Sequence, residues 1–474
     1  MTAPRFHIDE IRFAERDVVL RLPFRFGAVT VTACPQVYVR ARIRFADGSS
    51  SEGCAAEMMI PKWFDKNPAL SNEDNFNQLR QALQLAREAY GADRTARTAW
   101  GHFAAHYDAV LAAGAARQLN PLVASYGPAL IDRAVLDALC LHLGGSFAAA
   151  MQANAVGMTL ADNALASDLA AFDIDSFLAS RVPRGHIAAR HTVGLLDAIR
   201  EADAPADAPH DGLPRSLEGA IAQYGHRHFK LKLCGDTAAD LARLQEIATL
   251  IAPHAQLVTL DGNEQYGDAA AFADFLEQLM AQPALQALLA CTAFIEQPIR
   301  RDRALATDLR ALAQRMPLLV DESDATLGSF VQAQALGYTG VSSKSCKGFY
   351  KSVVNAARCA QAAQQHRAPL FLSGEDLTMQ AGIGVQQDLA LVSWLGLTHV
   401  ERNGHHYVDG LAAAPAAEQQ ALLGLHPDLY TRQHGHVRLA IEGGDLQLSS
   451  LGCTGFASGA AGAGIDWNDM ARHA

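Results

Sequence analysis

The sequence predicts an α+β domain followed by a (β/α)8 TIM barrel, and three observations carry that prediction. Residues 5 to 47 alternate apolar and polar side chains as antiparallel strands do. From about residue 186 the pattern changes to strand, helix, strand, helix, with eight strand-like runs in all. Five of those runs end in a lysine or a carboxylate in a fixed order. They are FKLKL (Lys230, Lys232), LVTLDGN (Asp261), AFIEQP (Glu296), PLLVDES (Asp321) and VSSKS (Lys344). The steps from Lys232 to Asp261, Glu296, Asp321 and Lys344 are 29, 35, 25 and 23 residues. Each is the length of one strand-plus-helix unit of a parallel fold.

The elements follow in order. FHIDEIRFAERDVVLRLPF reads as a strand, Gly27 as a turn, and TVTACPQVYVRARIRFADG as its antiparallel partner, closed by the Asp47-Gly48 turn. Residues 73–118 and 128–145 are rich in Ala and Leu at helical spacing, which completes a first domain over 1–145. Residues 146–185 form a connecting segment or an insertion. Strands are expected near 186–192, 228–233, 256–261, 291–296, 317–321, 339–344, 369–373 and 397–401, giving a barrel domain over 186–424. DAPADAPHDGLP, residues 203–214, reads as a loop insertion. In 425–474, HVRLAIEGGDLQLSSLGCTGF resumes antiparallel character and is expected to pack back on the first domain.

Composition narrows the class. Of 474 residues half are hydrophobic and 19% charged, the signature of a globular chain with a sizeable core. The net charge is -11 with no basic cluster, which argues against nucleic acid and anionic membrane as partners. Eight scattered cysteines without a C-x-x-C pair suit a reducing compartment. The N-terminus lacks the apolar core of a signal peptide, and no apolar run is long enough for a membrane span, so the expected location is cytoplasmic.

The strand ends carry the chemistry. Lys230 and Lys232 are two apart on one strand, so both side chains share a face, which a barrel turns inward. Mutual repulsion and a nearby cation are expected to lower their pKa values, as a lysine base requires. Taken alone, K-x-K more often marks solvated lysines. Asp261, Glu296 and Asp321 each end an apolar run. One such acid is usually a helix cap. Three on successive strands point to a hard divalent cation, Mg²⁺ first and Mn²⁺ second. Glu322 competes with Asp321 as third ligand, because adjacent strand positions face opposite ways. Lys344 ends its alternating run, whereas Lys347 reads as the start of a loop with Gly348. His191, His399, His405 and His406 form a histidine group at the same mouth, without the spacing of a zinc motif. Gly382-Ile383-Gly384 precedes an apolar helix and is a weak candidate for binding an anion.

This set resembles the enolase superfamily, specifically the muconate lactonizing enzyme subgroup of the mandelate racemase/muconate lactonizing enzyme family. The resemblance rests on K-x-K at Lys230/Lys232, D-x-N at Asp261/Asn263, E-Q-P at Glu296 to Pro298, D-E-S at Asp321 to Ser323, and Lys344 on the sixth strand. RLPFRFGAVTVTACPQVYVRARI is similar to the family's capping domain, and SYGPALIDRAVLDALCLHLGG to the helical segment leading to its barrel. The resemblance implies a substrate carboxylate bound at Mg²⁺, an α-proton taken by a lysine, and an enediolate stabilised by the cation. It casts Lys232 and Lys344 as the two acid/base groups. Lys230 then keeps the pKa of Lys232 low and helps hold the carboxylate, and Asn263 orients Asp261 or a water of the cation. It also implies a homo-oligomer.

Two opposed lysines suit racemisation or epimerisation. The same residues suit a cycloisomerase or a β-eliminating synthase or dehydratase of the subgroup. A non-catalytic descendant that binds a metal or metabolite is a third class, against which the retained acids and lysines argue. For the substrate end, the cap loops Pro23 to Thr30 and Gly53 to Trp63 are expected to form an apolar lid from Phe24, Phe26, Met58, Met59 and Trp63. Ser373, Glu375, Glu401 and Asn403 are candidate substrate contacts. Dipeptide epimerases of the subgroup carry Asp-x-Asp on the eighth strand, and Glu401-Arg402-Asn403 departs from that pattern.

Overall fold

A computed structural model describes residues 3–26, 29–161, 164–377, 379, 381–459 and 464–473. The expected Gly27 turn lies outside them. Long amphipathic runs give two antiparallel strands, β1 (Phe6–Phe26) and β2 (Val29–Phe45), and the shorter, largely buried β3 (Ser50–Met58) pairs with β2. Asp47 and Gly48 make the β2–β3 turn, with Gly48 at φ 85°, a conformation glycine adopts freely. The stretches expected as cap loops are therefore mostly strand: Pro23 to Phe26 belongs to β1, Val29 and Thr30 to β2, and Gly53 to Met58 to β3.

The helix Asn72–Ala92 starts at a capping box, in which Ser71 Oγ accepts from Asp74 N at 3.1 Å and Asp74 Oδ2 accepts from Ser71 N at 2.7 Å. It is followed by helices Ala99–Ala116 and Tyr126–His142. The last is buried on nearly every side, because β3 covers one face and the barrel another. Gly53 makes this close packing feasible. A Cβ there would stand 2.2 Å from Ala138 N and 2.4 Å from Ala134 O.

The parallel strands are β4 (His186–Val193), β5 (His228–Lys232), β6 (Leu257–Asp261), β7 (Thr292–Glu296), β8 (Leu318–Val320), β9 (Gly340–Ser343), β10 (Phe371–Gly374) and β11 (His399–Arg402). Each pairs with its sequential neighbour, and β11 closes on β4 with Glu401 opposite Arg190. The result is a closed eight-stranded barrel capped by an antiparallel sheet, the fold class that the sequence predicts. The strands fall where the alternating runs place them.

A hairpin of β12 (Tyr430–Gln433) and β13 (His436–Leu439) follows, then β14 (Asp445–Gln447), antiparallel to the start of β4. β15 (Ala471–His473) adds to the outer edge of β1. The 203–214 segment ties the cap to the barrel: Asp211 accepts from Arg21 of β1 at 2.6 and 2.9 Å. No described helix is long and apolar enough to cross a membrane.

The Gly382-Ile383-Gly384 expectation needs correction. Tyr430 Oη already accepts from Gly382 N at 3.0 Å, and a Cβ on Gly384 would stand 2.8 Å from Ala56 O. Gly384 lets the helix Ile383–Trp394 approach β3 closely, and the N–H of Gly382 is already taken by Tyr430.

Candidate active site

Strand register brings the charged residues together. Lys232, Asp261 and Glu296 stand opposite one another on β5, β6 and β7, at one level of the barrel. Their side chains face the interior because they share the alternation phase of Lys230 and Thr259. Most barrels fill this space with branched apolar side chains. Here it holds charge.

Lys230 is the centre of that charge. Its Nζ lies 2.7 Å from Glu296 Oε2, 2.8 Å from Glu375 Oε2, 2.9 Å from Asp261 Oδ2 and 3.0 Å from Glu401 Oε2. Burial alone would lower its pKa, but the four carboxylates outweigh burial and hold it well above the ordinary lysine value. The expected lowering of Lys230 is thus reversed, because acids from β10 and β11 join those of β6 and β7 around it.

Around it the layer is closed by hydrogen bonds. Arg190 of β4 donates to Ser373 Oγ at 2.9 Å and pairs with Glu375, while Thr192 Oγ1 donates to Glu401 Oε1 at 2.6 Å. Asn403 Nδ2 also donates to Glu401 Oε1, at 3.0 Å. Ser373, Glu375, Glu401 and Asn403, expected as substrate contacts, are engaged by barrel residues in this layer. Arg190 and Thr192 are functional neighbours that sequence reasoning missed. Arg190 and Thr192 stand two apart in the strand HIAARHTV, and that spacing was the available signal.

Above this layer stand two separate lysine–acid pairs. Lys232 Nζ is 2.6 Å from Asp261 Oδ2. Lys344 Nζ is 2.6 Å from Asp321 Oδ2, and Asp321 also meets Ser342 Oγ and Lys347 Nζ, the latter at 3.4 Å. Burial favours the neutral amine of Lys344, but Asp321 prevails and holds it protonated. Asp321 in turn is held below the carboxylate range, since Lys344 and Lys347 outweigh its burial. Lys347 is not a loop residue: it is buried, donating to Ser342 Oγ at 2.6 Å and Asp324 Oδ2 at 3.0 Å.

Of the three acids expected to share a cation, Asp261 and Glu296 meet on Lys230, while Asp321 sits with Lys344 and Lys347. The rivalry with Glu322 also changes form. β8 ends at Val320, so strand alternation does not divide Asp321 from Glu322, and both carboxyls are buried. Glu322 Oε1 accepts from Asn263 Nδ2 and Lys66 Nζ, each at 3.3 Å. Asn263 N donates to Asp261 Oδ1 at 2.8 Å, so this residue links two acids. Lys66, on the cap, was not anticipated from the sequence.

The donor set suits a hard cation. Both oxygens of Glu296 are buried and accept no hydrogen bond. Its carboxyl is pushed well above the ordinary range, first by burial and then by Asp261 and Glu375. Buried oxygen donors whose mutual repulsion is incompletely relieved are what Mg²⁺ or Mn²⁺ would neutralise.

The expected lid is only partly at the site. Trp63 is: the Lys344 ammonium lies 4.3 Å from its ring centre, within range of a cation–π contact. Phe24 packs instead on Tyr407 at 4.4 Å and on Phe26 at 5.4 Å, and Met58 and Met59 are fully buried. The histidine group is split as well. His399 stays inside, 2.8 Å from Arg190 Nη1. His191 alternates with Arg190 and Thr192 and faces outward to His405 and His406.

Comparison with known proteins agrees with this architecture. Residues 213–470 match the family model described as enolase C-terminal domain-like. No curated protein matches the chain. Among solved structures, 2-chloromuconate cycloisomerase from Rhodococcus opacus 1CP is similar at 17% identity and TM-score 0.58, over 98% of each chain. Muconate lactonizing enzyme from Pseudomonas fluorescens, complexed with muconolactone, is similar at 19% identity and TM-score 0.58, also over 98% of each chain. The L-Ala-D/L-Glu epimerase from Bacillus subtilis is similar at 16% identity and TM-score 0.55, over 95% of this chain and 98% of its own. At these identities the likeness is one of fold.

Proposed function

The chain belongs to the enolase C-terminal domain-like family, and from that premise we propose that it is a Mg²⁺-dependent enzyme that removes the α-proton of a small carboxylate substrate. One observation carries the reading. β5 and β9 are four places apart in a ring of eight strands, so Lys232 and Lys344 stand across the barrel from each other at the same mouth. A substrate between them can lose its α-proton to one lysine, and the planar intermediate so formed can take a proton from the other on the opposite face. That is the geometry of racemisation or epimerisation.

In this reading Asp261, Glu296 and Asp321, with Glu322 beside them, hold the cation. When bound, it would supply positive charge where the substrate carboxylate gains negative charge. Asp261 and Asp321 orient Lys232 and Lys344, each at 2.6 Å. Lys230 and Arg190 balance the acids beneath. Trp63 covers Lys344 and helps exclude water from it.

Cycloisomerisation is the second reading, in keeping with the muconate-converting enzymes of the same fold. There one lysine is the base and the other a neighbouring cation. The proposal includes a homo-oligomer, which light scattering checks.

The test is proton NMR in D₂O with Mg²⁺ and pooled dipeptides, N-acyl amino acids, hydroxy acids and muconates. The expected result is loss of an α-proton signal that requires both Mg²⁺ and Lys232. Retention of every α-proton with Mg²⁺ demonstrably bound would overturn the reading. The product formed from the active pool separates epimerisation from ring closure.

A further inference from the structure

A second cluster lies on the outside of the barrel wall, away from the lysines. His191 of β4, His226 just before β5 and His405 just after β11 each present a ring nitrogen, all within 4.8 Å of one another, and all three residues are buried. His405 Nε2 is 3.0 Å from His191 Nδ1 and 3.1 Å from His226 Nε2. Ligand atoms about 2.0–2.1 Å from a tetrahedral zinc are about 3.3 Å from each other, so these separations need little adjustment.

Proton bookkeeping favours a cation over a hydrogen-bonded cluster. His226 Nδ1 is 3.2 Å from Ala189 O, and a carbonyl only accepts, so that nitrogen carries the hydrogen. In a neutral imidazole that leaves Nε2 of His226 without one. Its Nε2 therefore turns a lone pair toward His405. A single proton on His405 Nε2 can serve well only one of its two close contacts. A metal ion at the meeting point would use the lone pairs of all three rings. A backbone carbonyl that fixes the tautomer of a ligating imidazole is the usual support of such ligands.

We infer that His191, His226 and His405 form a structural site for a borderline divalent transition metal, Zn²⁺ foremost, separate from the carboxylate site in the barrel. Imidazole nitrogen suits such ions and is a poor ligand for Mg²⁺. A small cavity of about 10 Å³, lined in part by Tyr224, His405 and Arg438, adjoins the cluster. That is close to the least space a water needs, so a fourth, exchangeable ligand has room. The position explains the use. His191 stands opposite Arg402 where β4 meets β11, so the ion would pin the strand pair that closes the barrel. The short helix Gly404–Tyr407, which carries His405, also receives the cap, since Arg21 Nη1 donates to His406 O at 2.8 Å.

The experiment uses the full chain, stripped with chelator and then titrated with Zn²⁺ or Co²⁺ in excess Mg²⁺. The expected result is one tightly held equivalent of Zn²⁺, a melting temperature that rises with Zn²⁺ concentration, and the strong visible bands of tetrahedral cobalt. His226→Gln and His405→Gln should weaken Zn²⁺ binding by about 100-fold or more, while Glu296→Gln leaves it intact. The cobalt spectrum of the unsubstituted protein needs no variant to fold. Absence of Zn²⁺ uptake, an octahedral cobalt spectrum, or Zn²⁺ binding lost in Glu296→Gln but retained in His226→Gln would each overturn the inference.

Discussion

Lys230 Nζ lies 2.7 Å from Glu296 Oε2 at the heart of the barrel, yet neither oxygen of Glu296 accepts a hydrogen bond. The contact is charge against charge without directional donation. Asp261, Glu375 and Glu401 share the same ammonium. Of the four buried carboxylates on one lysine, Glu375 and Glu401 accept hydrogen bonds from it at 2.8 and 3.0 Å, while Glu296 is held by Coulomb attraction, and Arg190 supplies further positive charge at the margin. Such an arrangement is sensitive to the loss of any one cation and receptive to the arrival of another.

Lys230→Met tests that sensitivity. Removing the shared ammonium leaves acids buried without a partner, which costs about 3–5 kcal/mol in comparable buried pairs. The variant is expected to lose stability of that order in denaturant titrations without metal, and to regain more on adding Mg²⁺ than the unsubstituted protein does. Equal stability without Mg²⁺ would mean that the acids are protonated or otherwise held, and that Lys230 is not their counter-charge.

Lys232→Ala and Lys344→Ala separate the two faces of the site. Each is expected to lower turnover by about 10²–10⁴-fold, the usual worth of a positioned acid or base. In D₂O, one variant should still exchange the α-proton of one stereoisomer and the other variant that of its mirror partner. The Mg²⁺-dependent rise in melting temperature should survive in both. Exchange of both stereoisomers in either variant would remove that lysine from the chemistry.

Much of this was legible in the sequence because the barrel puts its chemistry at strand ends, and charges there interrupt apolar runs. Asp261 after VTL and Glu296 after AFI are conspicuous in one dimension. Partners that come from distant elements are not. Lys66 reaches Glu322 across 256 positions of chain, and Arg190 reaches Glu375 across 185. Nothing local to either sequence window announces the pairing. The cap hairpin departs from its expected loops for another reason. Pro23 and Gly53 signal loops, but Pro23 lies in the part of β1 where pairing with β2 shifts register, between Val19 and Phe24, and Gly53 serves the close approach of a helix. Glu57 was also missed. It is buried between Arg133, at 2.9 Å, and Ser345, at 3.2 Å, and burial pushes its carboxyl to about 7 despite Arg133.

Lys66→Met tests the latch from cap to barrel. Lys66 Nζ lies 2.5 Å from Glu264 Oε2 and donates to Asn263 O at 2.8 Å, besides meeting Glu322. Its partial exposure keeps the stability effect to about 1 kcal/mol or less. The larger effect is expected in KM, which should rise about tenfold, the equivalent of one charged hydrogen bond, as the cap closes less firmly over the mouth. An unchanged KM with a lower kcat would instead place Lys66 in the chemical step, through Glu322.

Asp137 gives a pH dependence that is independent of the barrel chemistry. It sits on the helix Tyr126–His142 and accepts from Cys54 N at 2.8 Å, Phe456 N at 2.6 Å and Ser458 Oγ, so it joins β3 to the C-terminal segment. These donors and the Cys54 thiol, 3.6 Å away, favour the ionised form, but burial is larger and raises the pKa from 3.8 to about 6. A carboxyl whose pKa is higher in the folded state binds more protons there than in the unfolded chain. Its contribution to stability is therefore greatest below pH 3.8 and declines as the pH rises to about 6. Other carboxylates titrate in the same window, so the comparison is with Asp137→Asn, which cannot ionise. The stability of the unsubstituted protein relative to this variant should fall by up to about 3 kcal/mol across the window and stay level above it. Denaturant titrations at several pH values measure the difference directly. A difference that does not change with pH would mean that the donors balance burial, and that Asp137 holds the C-terminal segment as a permanent anion.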